Sequence, residues 1–155
     1  MRPHEKLDVW CKAMDFVVTV YKATESFPKE ERFGLTSQIR RAAVSVPANI
    51  AEGAARRSSK EFIHFISNAQ GSASELETEL LIAQHLGYLR ESDYFEMRET
   101  LDNIGRMLIG MTHHLEKSVN REPYTVTRQN WFSLVTVYGS RFTAFSASAA
   151  ASHRQ

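Results

Sequence analysis

Apolar residues return along this chain at intervals of three and four, the spacing that lines one face of an α-helix, and four such segments can be traced. The first spans residues 5–26 with Leu7, Trp10, Met14, Val17, Val18 and Tyr21 on one face. Phe27-Pro28 ends it, because a proline steers its predecessor out of helical conformation. The second spans residues 34–53 and turns Leu35, Ile39, Ala42, Val46 and Ile50 inward. Pro47 lies inside it, lacks an N–H and crowds the preceding turn, yet the apolar period resumes at Ile50, which predicts a bend rather than an end. Gly53 stands where a C-terminal cap would fall. The third begins at Ser58-Ser59-Lys60-Glu61, a capping box, and runs to about Leu86 with Phe62, Phe65, Ala69, Ala73, Leu76, Leu80 and Ala83 as its stripe; Gly87 stops it. From near Ser92 the fourth places Tyr94, Met97, Leu101, Ile104, Leu108, Met111 and Leu115 at steps of three and four, an unbroken heptad seam.

Each segment is polar on its outer face, so none buries its stripe alone, and the short connections force neighbours to run antiparallel. The pattern predicts an all-α, antiparallel up-down-up-down four-helix bundle over residues 1–117. A different kind of sequence follows. The run YTVTRQNWFSLVTVYGSRFTAF is rich in β-branched and aromatic residues, and SASAAASHRQ after it has low complexity. For this C-terminal extension, residues 118–155, a hairpin, a short helix and an unstructured tail all remain open.

Composition narrows the function classes. With 43% hydrophobic and 24% charged residues in a chain of 155, the protein reads as one ordinary globular domain, neither a disordered segment nor a membrane protein. Charges arrive at once in MRPHEKLDVW and no apolar run approaches bilayer length, so the expected compartment is the cytoplasm. The lone Cys11 has no partner for a disulfide or a zinc knuckle and is read as core filler on a helix face.

Charge is unevenly spread. Although the net value is +1, residues 118–155 hold four basic residues against one acid, and residues 32–60 hold six against Glu52 alone. Arg40, Arg41, Arg56, Arg57 and Lys60 of that stretch are the candidate contacts for a phosphate backbone, which would make binding fall steeply with salt. A competing reading makes them ion-pair donors, within one chain or between copies, for the acidic half where Glu75, Glu77, Glu79, Glu91, Asp93, Glu96, Glu99 and Asp102 gather. Aromatic residues do not interleave with the basic ones as a single-strand platform requires.

Catalytic chemistry finds little support. Glu61 and His64 supply half of the paired Glu-x-x-His pattern of di-iron bundles, but no other histidine follows a glutamate at that spacing, and Glu61 is better read as the capping-box acid. Neighbours on a helix diverge by about 100°, which keeps His113 and His114 from gripping one ion, and they are read as solvent-exposed residues in the last turns of the fourth helix. Neither GxSxG nor GxxxxGK[ST] occurs. The reading is a non-enzyme with no cofactor, no metal and no membrane partner.

The run LTSQIRRAAVSVPANIAEG, residues 35–53, resembles the four-helix bundle family encoded in intervening sequences of bacterial 23S rRNA genes. LDVWCKAMDF, FPKEERFGL and NAQGSASELETELLIAQHLGYL extend the likeness, in order, across residues 7–117. The resemblance implies a homopentamer of antiparallel bundles. Through a related branch, the accessory variability protein of diversity-generating retroelements, it also implies contacts with RNA or DNA and with a reverse transcriptase. The expected function is therefore a homo-oligomeric nucleic-acid-binding scaffold acting through its basic face, with a protein-interaction scaffold as the alternative. Pro47, Asn49, Glu52 and Gly53 recur in the resemblance and are read as structural, Asn49 serving a carbonyl that Pro47 frees and that would cost about 1–3 kcal/mol if buried unpaired. The extension from Ser118 departs from the family pattern.

Overall fold

Residues 2–121 are described by a computed structural model, and four α-helices carry them: α1 (Asp8–Ala23), α2 (Leu35–Ala54), α3 (Ser59–His85) and α4 (Glu91–Arg121). Tight 3-10 turns at Pro3–Lys6, Thr24–Ser26 and Lys29–Phe33 lead into α1 and join it to α2. No strand occurs among the described residues. Helix α4 continues past the expected boundary at 117 to Arg121, and the rest of the extension lies outside the described residues.

Local chemistry fixes the helix ends. Ser58 caps α3: its hydroxyl oxygen accepts the Glu61 N–H at 3.2 Å while its O–H donates to the Glu61 carboxylate at 2.7 Å. At the start of α2 the carboxylate of Glu31 accepts the Leu35 N–H at 2.9 Å, so the link from α1 supplies the cap that Gly34 lacks. After α3, Gly87 takes φ +75°, a region open to glycine but strained for other residues, and its N–H donates to the Gln84 carbonyl at 3.0 Å.

Consecutive helices pack on one another and α4 returns to α1, closing the four-membered arrangement. The seam of α4 is buried from Tyr94 to Leu115, with Met111 half-buried, and α2 turns in the residues its period marked. Ile39, Ile50, Ile66, Leu76, Leu80, Ile104 and Leu108 are shut off from solvent, each burial stabilising the fold by about 1.5–3 kcal/mol. In α3 it is Ile66 that enters the core while Phe65 is half-buried, and Phe62, Ile66, Ala69, Ala73, Leu76, Leu80 and Ala83 then step by four and three throughout.

The face expected for α1 is corrected. Leu7, Val9, Ala13, Phe16 and Val20 are buried, whereas Met14, Val18 and Tyr21 are exposed and Trp10 and Val17 only half-buried. Both stripes satisfy the helical period; packing selects the one that includes the Phe16 ring. Cys11, on the unselected side, is exposed rather than core filler.

Pro47 is buried inside an unbroken α2. Asn49 answers a backbone carbonyl, as expected of it, but that of Ser45 at 2.8 Å, not the Ala43 carbonyl one turn before Pro47. The Ser45 hydroxyl also meets that of Ser72 at 2.8 Å, which brings α2 and α3 together through small side chains. Gly53 is not a cap: the helix runs one residue further, and Gly53 is buried where the Phe62 ring and the Phe65 Cβ of α3 occupy the space that a side chain would need. A tight helix crossing, not a backbone turn, requires glycine there.

Thr24, Thr36, Ser59 and Glu79 are the buried polar residues among those described, and of these Glu79 alone is ionisable. Glu79 is 6% exposed, its Oε2 has no hydrogen-bond partner, and burial, with the nearby Glu75 charge second, holds its carboxyl above the ordinary 4.5 against the opposing pull of Arg41. The native state therefore binds this proton more tightly than the unfolded chain. The associated stability is complete below the ordinary value and is lost as pH rises through the raised one. Glu79→Gln, which stays neutral, is expected to gain on the parent progressively above about pH 4.5, read as a widening gap between urea midpoints from about pH 4 to about pH 8.

Candidate nucleic-acid interface

The five basic residues expected on one face fall into two groups. Arg40 is half-buried: its Nε donates to Thr24 Oγ1 at 2.8 Å, a terminal nitrogen donates to the Tyr21 carbonyl at 3.4 Å, and the guanidinium lies 4.7 Å from the centre of the Tyr21 ring. Those contacts tie α2 to the end of α1 and turn the donors of Arg40 away from solvent. Arg41 is exposed and close enough to Glu79 to favour its ionised form. Some 22 Å of helix, at about 1.5 Å per residue, separate Arg41 from Arg56.

Arg56, Arg57 and Lys60 meet at the corner where α2 gives way to α3. Arg56 pairs with Glu52 and stacks 4.7 Å from the centre of the Phe65 ring, so its position is fixed on two sides. Glu52 is thus an anchor for this corner. Arg57 and Lys60 are exposed and form no ion pair among the described residues. Two exposed cations beside one pinned guanidinium suit a phosphate chain, and the planar fork of arginine suits its oxygens.

Acidic residues expected to partner this face are distributed otherwise. Glu77 holds Arg98 at 3.2 Å, Asp93 holds Arg90 at 2.9 Å, and Glu79 is buried. Glu91, Glu96, Glu99 and Asp102 remain exposed along the first three turns of α4, beside an exposed Phe95. Their distance from the basic corner, about 25 Å for Asp102 and about 40 Å for Glu91 along the bundle axis, was not legible without the fold.

Other candidate groups among the described residues stand apart from this corner. A shallow cleft of about 380 Å³ lies between the end of α1 and the start of α4, but its Arg90 and Asp93 are paired with each other. Among the described residues no three of His, Cys, Asp and Glu stand close enough to share a metal. His113 faces Glu116 at 3.4 Å; His114 is half-buried, and burial, then the Lys117 charge, lowers its pKa and keeps it neutral near pH 7. Because α4 continues to Arg121, the two histidines lie about two turns short of its end. No helix among the described residues is long and apolar enough to cross a membrane.

Fold and surface together define a small four-helix bundle whose charged side chains are concentrated at corners and helix faces. The chain belongs to the 23S rRNA-intervening sequence protein family, whose model matches residues 5–110. It is also similar to the crystal structure of a protein of unknown function from the S23 ribosomal protein family of Bacteroides thetaiotaomicron VPI-5482. The two are 26% identical with a TM-score of 0.61, over 67% of this chain and 97% of that one. No curated protein matches.

Proposed function

We propose that the chain is a non-enzymatic, self-associating bundle, a homopentamer acting in the cytoplasm, that presents its α2–α3 corner to the phosphates of RNA or DNA. The observation that carries the nucleic-acid reading is the pair of exposed, unpaired cations Arg57 and Lys60 beside the anchored Arg56. Both family names refer to ribosomal RNA or the ribosome, which supports a short structured RNA as the first probe. Each phosphate contact should contribute about 0.7–0.9 to the slope of log affinity against log salt. For Arg57→Ala/Lys60→Ala the expected result is weaker RNA binding at low salt and a slope reduced by about 1.5–2, measured by fluorescence anisotropy. Arg40→Ala should leave that slope unchanged while lowering thermal stability. Binding that ignores salt and survives the double substitution would remove the corner from the account.

A second reading, a scaffold for protein partners such as a reverse transcriptase without direct nucleic-acid contact, draws on the exposed Met14, Val18 and Tyr21 of α1. These residues recur at steps of four and three and form an apolar stripe that the bundle leaves uncovered.

A further inference from the structure

His64 stands in the basic corner rather than in a metal centre. Its ring lies 5.9 Å from that of Phe65, at 66°, and Phe65 is also the ring against which the Arg56 guanidinium stacks at 4.7 Å. One aromatic side chain thus holds Arg56 and His64 in the same place. His64 is exposed and follows Lys60 by four residues on α3, a spacing that makes the two side chains neighbours, about 5–6 Å apart at Cβ. The stripe continues at steps of three and four through Ser67, Gly71 and Ser74, all exposed and none charged, so no acid stands in line with Lys60 and His64 along this stretch. The acids nearest the corner are engaged: Glu61 accepts the Ser58 O–H at 2.7 Å, and Glu52 of α2 pairs with Arg56. Helix α4 meets a different side of α3, where Glu77 holds Arg98. Toward its end His113 faces Glu116 at 3.4 Å, and an exposed Lys117 lies beside the half-buried His114.

We infer that His64 is a fourth cation of the α2–α3 corner: protonated, it takes a phosphate beside Lys60, so the affinity of the corner for RNA or DNA rises as pH falls. The inference rests on the corner reading given above and adds to it a binding residue and a pH dependence. Histidine changes charge between about pH 5 and 8, and an anion placed against it favours the protonated form. Binding therefore takes up a proton, and affinity is higher below this range than above it. Arg56, Arg57 and Lys60 keep their charge throughout, so the corner differs between the two ends of the range by the one cation that His64 supplies.

The test is fluorescence anisotropy of the full chain with a short structured RNA, taken across salt at about pH 5.5 and at about pH 8, with helix content checked by circular dichroism at both. For the parent, the slope of log affinity against log salt should be steeper at the lower pH by about 0.7–0.9, the share of one phosphate contact. His64→Gln should give the shallow slope at both pH values and His64→Lys the steep one at both, whereas His113→Gln/His114→Gln should keep the parent's difference. A parent slope that ignores pH would overturn this inference, as would a difference that survives His64→Gln or disappears in His113→Gln/His114→Gln. In each of those cases a slope still lowered by Arg57→Ala/Lys60→Ala leaves the corner standing. If that double substitution leaves the slope untouched, the corner fails and the inference falls with it.

Discussion

Replacing Leu108 by alanine is expected to cost about 2–5 kcal/mol, a large share of the roughly 5–15 kcal/mol that holds a domain of this size together. Leu108 is completely buried at the middle of the α4 seam, with Leu101 and Ile104 before it and Leu115 after it in the same core. Truncation removes three carbons from a site walled by rigid helices, so the lost transfer energy is joined by the cost of a cavity that cannot collapse. In urea the midpoint should fall by roughly 1–2 M with the slope unchanged, since the surface exposed on unfolding stays nearly the same. The equivalent change at Ile109, one residue on and 49% exposed, should cost well under half as much.

Gly53→Ala should be destabilising where helix propensity alone says the opposite. Alanine in place of a helical glycine ordinarily gains about 1 kcal/mol. At Gly53 the added methyl would overlap the Phe62 ring and lie 2.8 Å from Cβ of Phe65, an atom fixed by the α3 backbone. Overpacking of this kind costs about 1–3 kcal/mol, so a net loss is expected. Gly105 of α4 provides the contrast, for a methyl there meets nothing within 4 Å. Gly105→Ala should therefore raise the melting temperature while Gly53→Ala lowers it. A gain at both positions would mean that α2 and α3 are not pressed together at that crossing.

Much of the bundle was legible because its helices repeat at the helical period and stop at recognisable residues. The α4 seam admits one inward face, since its apolar residues form one main stripe flanked by charges, and Ser58 and Gly87 mark the ends of α3 by hydrogen-bonding and backbone rules that act locally. Helix α1 shows where this reasoning stops. It carries two apolar stripes, and the choice between them depends on which neighbours arrive, a tertiary fact that periodicity does not contain. Phe65 and Ile66 pose the same choice on a smaller scale: adjacent residues of similar hydrophobicity, one of which becomes core and the other a platform for Arg56.

The candidate interface was legible as a list of cations but not as a surface. Arg40 and Arg41 are neighbours in sequence, yet the helix turns them about 100° apart, and only Arg40 reaches Thr24 and the Tyr21 ring. A bond joining residues 24 and 40 depends on how α1 and α2 are set side by side. Glu79 is the converse case. Its place in the acidic half suggested an ion-pair partner for the arginines, but its register on α3 turns it inward, whereas Glu75, Glu91, Glu96, Glu99 and Asp102 stay exposed.

Light scattering coupled to size exclusion, on the full chain at low and high salt with and without a short structured RNA, tests the central claim most directly. The account predicts a mass above 17.7 kDa at low salt, with RNA co-eluting there and released as salt rises. A single-chain mass at every salt concentration, with no RNA taken up, would contradict it.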